Sequence, residues 1–149
     1  MHVLAAATSK FIIDLEVTDA SVHDSQVVAP LLRKEYASKG LFLDSGYFGS
    51  PVDEIIKKFN LIPFVCGRAT RGHPLSLEQK NRNRRTSKIR VRIEHIFGFI
   101  ENAMNGAIVR TVGIIRAKAH AAMKVLCYNV CRAITLIKLS TSGEISPKN

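Results

Sequence analysis

Leu41-Phe42-Leu43-Asp44-Ser45-Gly46-Tyr47 is the stretch on which the fold of this chain turns. Three apolar residues directly after Gly40 make a short run without polar alternation, the pattern of a strand covered on both faces of a sheet. Asp44 closes the run and so stands at the carboxyl end of a central strand, where open α/β sheets bind their ligands. Downstream, Ser50-Pro51 opens a helix with Val52, Ile55, Ile56 and Phe59 at helical spacing, Asn60 stops it, and residues 61–66 form another apolar strand. Strand, helix, strand in that order predicts a parallel pair. Upstream, residues 1–7 and 11–17 read as a β-hairpin around Thr8-Ser9-Lys10, its second strand alternating Ile13, Leu15 and Val17 with Asp14 and Glu16. Asp24 or Ser25 then starts a helix carrying Val27, Val28, Leu31 and Leu32, with Pro30 tolerated near its start.

Beyond residue 66 the character changes. Residues 67–85 hold Arg68, Arg71, Lys80, Arg82, Arg84 and Arg85 against the single acid Glu78, and Gly67, Gly72 and Pro74 break regular structure, so a basic loop is expected to run into a helix. The helical pattern starts at Leu75-Ser76-Leu77-Glu78 and continues through Ile89, Ile93, Ile96, Phe97, Ile100 and Met104. On it Arg90, Glu94 and Glu101 fall at offsets of four and seven and share a face. A last helix over residues 114–139 carries Ala117, Ala121, Val125, Tyr128, Cys131 and Leu136 toward one side of the sheet. Residues 140–149 read as a polar tail.

The 149 residues, 46% of them hydrophobic, suffice for one domain with a core. The 22 Lys and Arg against 12 Asp and Glu give a net charge of +10, which points to a polyanionic partner, most economically nucleic acid. No apolar run approaches the ~20 residues of a membrane span, and the start lacks a signal-peptide pattern, so an intracellular protein is expected. Cys66, Cys127 and Cys131 are odd in number with no CxxC unit, which argues against a disulfide framework or a structural zinc and for thiols buried in the core.

Two carboxylates on a basic chain suggest a divalent metal acting on a phosphodiester. Magnesium takes oxygen ligands and binds through one or two carboxylates plus the substrate phosphate; a pair of ions can activate the attacking oxygen and stabilise the leaving one. Asp44 and Glu94 are the candidate ligands. Arg90, one turn before Glu94, would hold a phosphate or orient the glutamate, or else form an ordinary i,i+4 helix pair with it. His95 reads either as a contact to a DNA backbone or as a plain surface histidine.

Val22-His23-Asp24-Ser25, Asp44-Ser45-Gly46-Tyr47, Gly72-His73-Pro74-Leu75 and Lys88-Ile89-Arg90-Val91-Arg92-Ile93-Glu94-His95-Ile96-Phe97-Gly98 together resemble the catalytic half of bacterial insertion-sequence DDE transposases. The likeness covers residues 1–139, with the motifs in the family's order and compatible spacing. It implies an α/β fold: an RNase H-like mixed sheet flanked by helices. It also implies three acids that hold two magnesium ions, with manganese as a substitute, to cut DNA at transposon ends and join the free 3′-hydroxyl to a target. Asp44 matches the second acid, Glu94 the third, and Arg90 the arginine four positions before it. Tyr47 and His95 fall in supporting positions, and Arg68, Arg71, Arg82, Arg84, Arg85, Lys88 and Arg90 are the expected DNA contacts. A bacterial cytoplasmic, nucleoid-associated protein with no membrane partner follows.

The departures from the family pattern carry expectations of their own. The family's first aspartate lies on a strand upstream of the hairpin, in the middle of the sheet. A chain lacking it is expected to be a C-terminal fragment, inactive alone, with two inner strand edges open to a second copy or another chain. Asp14 occupies a polar hairpin position rather than the catalytic one. The family's tyrosine three residues before the arginine is Ser87 here, and the lysine seven residues after the glutamate is Glu101, an anion that weakens phosphate binding. Whether the chain acts as an enzyme is therefore open, and the alternative is a non-catalytic basic DNA-binding protein or regulator of transposition. A basic RNA-associated structural protein would account for the charge but not for Asp-Ser-Gly-Tyr or the Arg-Glu helix.

Overall fold

The computed structural model describes residues 1–19, 21–43, 50–66, 76–106 and 111–142. Strands β1 (His2–Ala5) and β2 (Ile12–Glu16) form an antiparallel hairpin with His2 opposite Glu16 and Leu4 opposite Asp14. The turn is closed by Ala6 N–H donating to Phe11 O at 2.8 Å and Lys10 N–H donating to Ala6 O at 3.0 Å. Lys10 takes a φ of 62°, a left-handed conformation that completes the reversal. The register shifts between Leu4 and Ala5, a bulge that bends the ladder near the turn.

The helix expected from residue 24 is broken up. A 3-10 turn over Asp24–Val27 leads into α1 (Val28–Leu31), a single turn that ends with Leu32 in an extended conformation. A second 3-10 turn, Lys34–Tyr36, links it to β3 (Gly40–Leu43). Helix α2 (Ser50–Lys58) follows and ends at Asn60, which takes a φ of 49°. Strand β4 (Ile62–Val65) then lies parallel to β3, with Gly40 opposite Ile62 and Leu43 opposite Val65. The parallel pair expected from strand, helix, strand is present.

Helix α3 (Leu77–Ala103) starts with a capping box: Gln79 N–H donates to Ser76 Oγ at 3.2 Å, and Ser76 N–H donates to Gln79 Oε1 at 2.9 Å. Gly113, at a φ of 93°, turns the chain into α4 (Ile114–Thr141), which runs two residues beyond the expected end.

Strand alternation divides the core in two. Leu41 and Leu43 pack with Val28, Leu32, Val52 and Ile56 beneath α1 and α2. On the hairpin, Ile12 packs with Ile96 and Ile100 of α3 and Val125 and Tyr128 of α4. Leu4 joins the first cluster while Val3 and Ala5 join the second, as residues facing opposite sides of a strand must. Helices thus lie on both faces of the strands, an α/β arrangement.

The strands do not join into one sheet. Two two-stranded ladders, β1 with β2 and β3 with β4, are separated by a cleft of about 640 Å³ lined by residues 1–8, residues 40–43 and side chains of α1 and α3. The edges of β1 and β3 that carry no ladder partner among the described residues border this cleft.

The thiols correct the sequence reading. Cys66 is half-buried and Cys127 and Cys131 are exposed, because the core-facing stripe of α4 runs through Ala121, Val125 and Tyr128 and leaves the positions near Cys127 and Cys131 outside.

Candidate active site and nucleic-acid interface

Parallel strands end at the same edge when they start in register. Leu43 and Val65 are partners at the carboxyl ends of β3 and β4. α3 crosses near that edge: Cys66 Sγ, just after β4, lies 3.7 Å from Ser87 Oγ. One and two turns further along α3 come Arg90 and Glu94. They line the cleft together with Leu43, Ile89 and Ile93. Glu94 is therefore carried to the cleft that the last residue of β3 borders, although Leu43 and Glu94 are far apart in sequence.

Arg90 Nη2 lies 3.5 Å from Glu94 Oε1, with both side chains substantially exposed. An exposed i,i+4 pair at this distance contributes a few tenths of a kcal/mol at most. Its use is positional: the guanidinium lies beside one oxygen of an exposed carboxylate. Among the described residues no three His, Cys, Asp or Glu side chains gather as a metal-binding group. Asp44 and Tyr47 lie outside the described residues, as do Arg68 and Arg71.

The other expected DNA contacts sit on α3 but not on one face. At about 100° per residue, Arg84, Lys88 and His95 fall along one stripe, Arg85 with Arg92 beside it, and Arg90 with Glu94 and Glu101 on another side. Arg82, Arg84, Arg85 and Lys88 are all exposed.

A basic cluster that sequence reading missed surrounds the hairpin turn. Arg92 of α3 donates to the carbonyl of Ala7, Arg132 Nε of α4 donates to Ser9 O at 2.8 Å, and the Tyr128 hydroxyl donates to Lys10 O at 3.0 Å. Lys10 Nζ lies 3.3 Å from His95 Nδ1, within hydrogen-bond distance. His95 thus borders a small cleft of about 310 Å³ with Lys10, Tyr128 and Arg132. Partial burial, and then the charges of Arg132 and Arg92, push the Lys10 ammonium below its ordinary pKa. Burial also pushes the Tyr128 hydroxyl up, opposed by Arg132. These contacts span 85 or more residues of sequence and leave no periodicity to find them by.

The likeness to known proteins bears on what such a site is for. A family model described as "Transposase DDE domain" matches residues 1–130. This chain belongs to the DDE transposase family. The "Transposase for insertion sequence element IS1106" of Neisseria meningitidis serogroup B is 27% identical over 129 residues, covering 87% of this chain and 45% of that protein. The DDE chain thus spans less than half the length of this curated relative. No solved structure matches it. Among the described residues, no helix of this transposase-family chain is long and apolar enough to cross a membrane.

Proposed function

We propose that this transposase-family chain supplies the second and third acids of a DDE site, Asp44 and Glu94, on an RNase H-like sheet, and that alone it binds DNA without cutting it. The observation that carries this reading is the shared cleft: Arg90 and Glu94 of α3 line it together with Leu43, the last residue of the strand before Asp44. In an RNase H-like sheet a central strand runs between the counterparts of β1 and β3. The edges of both border the cleft, and Tyr36 on its wall has a buried hydroxyl with no hydrogen-bond partner among the described residues. Two strand acids in the described residues are engaged elsewhere on β2. Asp14 pairs with Arg33 and Glu16 with Lys118, each at 2.8 Å, so neither stands in for the first acid of the site.

Carboxylates are the oxygen ligands that magnesium or manganese takes, and the exposed Glu94 fits that role with Asp44. When bound, the ion would stabilise the attacking and leaving oxygens of a phosphodiester. Arg90 holds the Glu94 carboxylate and faces the same phosphate, while Arg84, Lys88 and the cations of the loop before α3 neutralise the DNA backbone at the nucleoid.

The test uses the purified chain with DNA carrying transposon ends. Salt-sensitive binding without nicking is expected, together with manganese binding that Asp44→Asn and Glu94→Gln each weaken at least tenfold. Robust cutting abolished by Asp44→Ala would overturn the incomplete-site reading, and manganese binding unchanged in both variants would overturn the ligand assignment. A second reading, a non-catalytic DNA-binding regulator, is favoured by the cations gathered at the hairpin turn, Lys10, Arg92 and Arg132. It predicts no metal dependence at all.

A further inference from the structure

Helix α4 is apolar on two opposite sides. Ala121, Val125 and Tyr128 are buried, the last two against the hairpin and α3. Diametrically across the helix, Met123, Leu126, Val130, Ile134 and Ile137 form a second stripe whose members are 48–61% exposed. A helix that is hydrophobic all round is ordinarily buried all round. A contiguous apolar strip four turns long marks an interaction surface, whereas single exposed apolar residues do not.

The spacing of this stripe identifies its occupant. Counted from Val130, the members lie at −7, −4, 0, +4 and +7, so the pattern reads the same in both directions along the helix. A two-fold interface is isologous: if residue i of one copy meets residue j of the other, j meets i. Two α4 helices crossing antiparallel at Val130 satisfy that rule with every apolar member used. Val130 meets its own mate on the axis, Leu126 meets Ile134, and Met123 meets Ile137. The steps of three and four are those of a helix-packing seam.

We propose that the outer face of α4 is a homodimer interface, formed by antiparallel pairing of two copies about Val130. Five half-exposed large side chains bury roughly 500 Å² per copy, about 1,000 Å² for the pair, the lower end of what a specific dimer needs. Charge sets how the interface answers to salt. The helix Ile114–Thr141 carries Arg116, Lys118, Lys124, Arg132 and Lys138 and no acid, so two copies repel, and added salt tightens the dimer by screening that repulsion. An acidic helix as occupant would respond in the opposite sense. This interface does not depend on the DDE site and stands or falls apart from it.

The test is cysteine cross-linking of the full chain, with Cys66, Cys127 and Cys131 replaced by serine. Val130→Cys alone places two thiols on the two-fold axis and gives a disulfide dimer under mild oxidation. Met123→Cys alone gives none, because its mate lies 14 residues away along the pair, about 21 Å at the helical rise, whereas Met123→Cys with Ile137→Cys restores cross-linking. Sedimentation in 0.1 and 0.5 M salt shows a dimer that strengthens with salt and that Val130→Asp weakens more than tenfold without loss of helical circular dichroism. A monomer at all concentrations, or a dimer that Met123→Cys alone cross-links as readily as Val130→Cys, overturns the proposal.

Discussion

Asn129 grips Ile12 through both halves of its peptide edge: Oδ1 accepts from Ile12 N–H at 3.0 Å and Nδ2 donates to Ile12 O at 2.9 Å. A side-chain amide from α4 thus does for the outer edge of β2 what another strand would do. It does so where the hairpin register shifts and Ala5 stands opposite Ile12. Asn129→Ala removes both bonds and leaves a buried strand edge unsatisfied, at a cost of about 1–3 kcal/mol. Asn129→Asp keeps one acceptor but sets a carboxylate against the Ile12 carbonyl and destabilises at least as much. Urea unfolding monitored by circular dichroism reads both.

Glu94→Gln separates chemistry from stability. The glutamate is exposed and its partnership with Arg90 is long, so its removal changes unfolding free energy by less than about 0.5 kcal/mol. Manganese binding falls at least tenfold in the same variant. A comparable loss of stability would mean that Glu94 is a structural residue.

Cations on one helix divide into two kinds. Arg84→Ala and Lys88→Ala, both exposed on α3, leave thermal stability unchanged and lower the slope of log K against log salt for duplex DNA by about 0.9 for each phosphate no longer neutralised. Arg92→Ala instead unfastens the Ala7 carbonyl from α3 and lowers the melting temperature by several degrees, which differential scanning calorimetry resolves.

Acid weakens the attachment of α4 to the hairpin. The hydrogen bond from Lys118, with its charge, holds the Glu16 carboxyl below the usual carboxylate range despite some burial. A carboxyl whose pKa is depressed on folding adds stability above its unfolded pKa of about 4.3 and loses it as pH falls through the folded value. Glu16→Gln therefore flattens the stability profile below about pH 4.5 and leaves neutral stability little changed, since the pair is partly solvated.

Gly106 tolerates no side chain. A Cβ built there would stand 2.5 Å from the carbonyl oxygen of Ile100, the acceptor that closes the end of α3 through Gly106 N–H at 2.9 Å. Gly106→Ala must displace backbone next to one of the most buried side chains in the chain, and costs about 1–3 kcal/mol by chemical denaturation.

Local pattern determined the elements. Alternation in residues 11–17 specifies β2, the apolar run after Gly40 specifies β3, and Leu75-Ser76-Leu77-Glu78 marks the start of α3, because each signal is written within one turn or one pleat. The family was also legible, since its motifs are short and follow in order. The offset of four between Arg90 and Glu94 predicted their shared face, because helical geometry converts spacing directly into direction. Pro30 was legible as a residue near a helix start, but the single turn of α1 was not, because its length depends on where the chain must go next.

Tertiary structure decided what spacing cannot encode. It alone drew Glu94 to the cleft bordered by Leu43 and fastened Arg92, Tyr128 and Arg132 onto the hairpin turn. It put Cys127 and Cys131 outside a helix whose every side looks apolar, and it left the strands in two ladders instead of one sheet. Sequence dictates which way a side chain points from its own backbone. Which surface it meets depends on contacts between segments some 50 to 120 positions apart, whose energies are set only when the whole chain has packed.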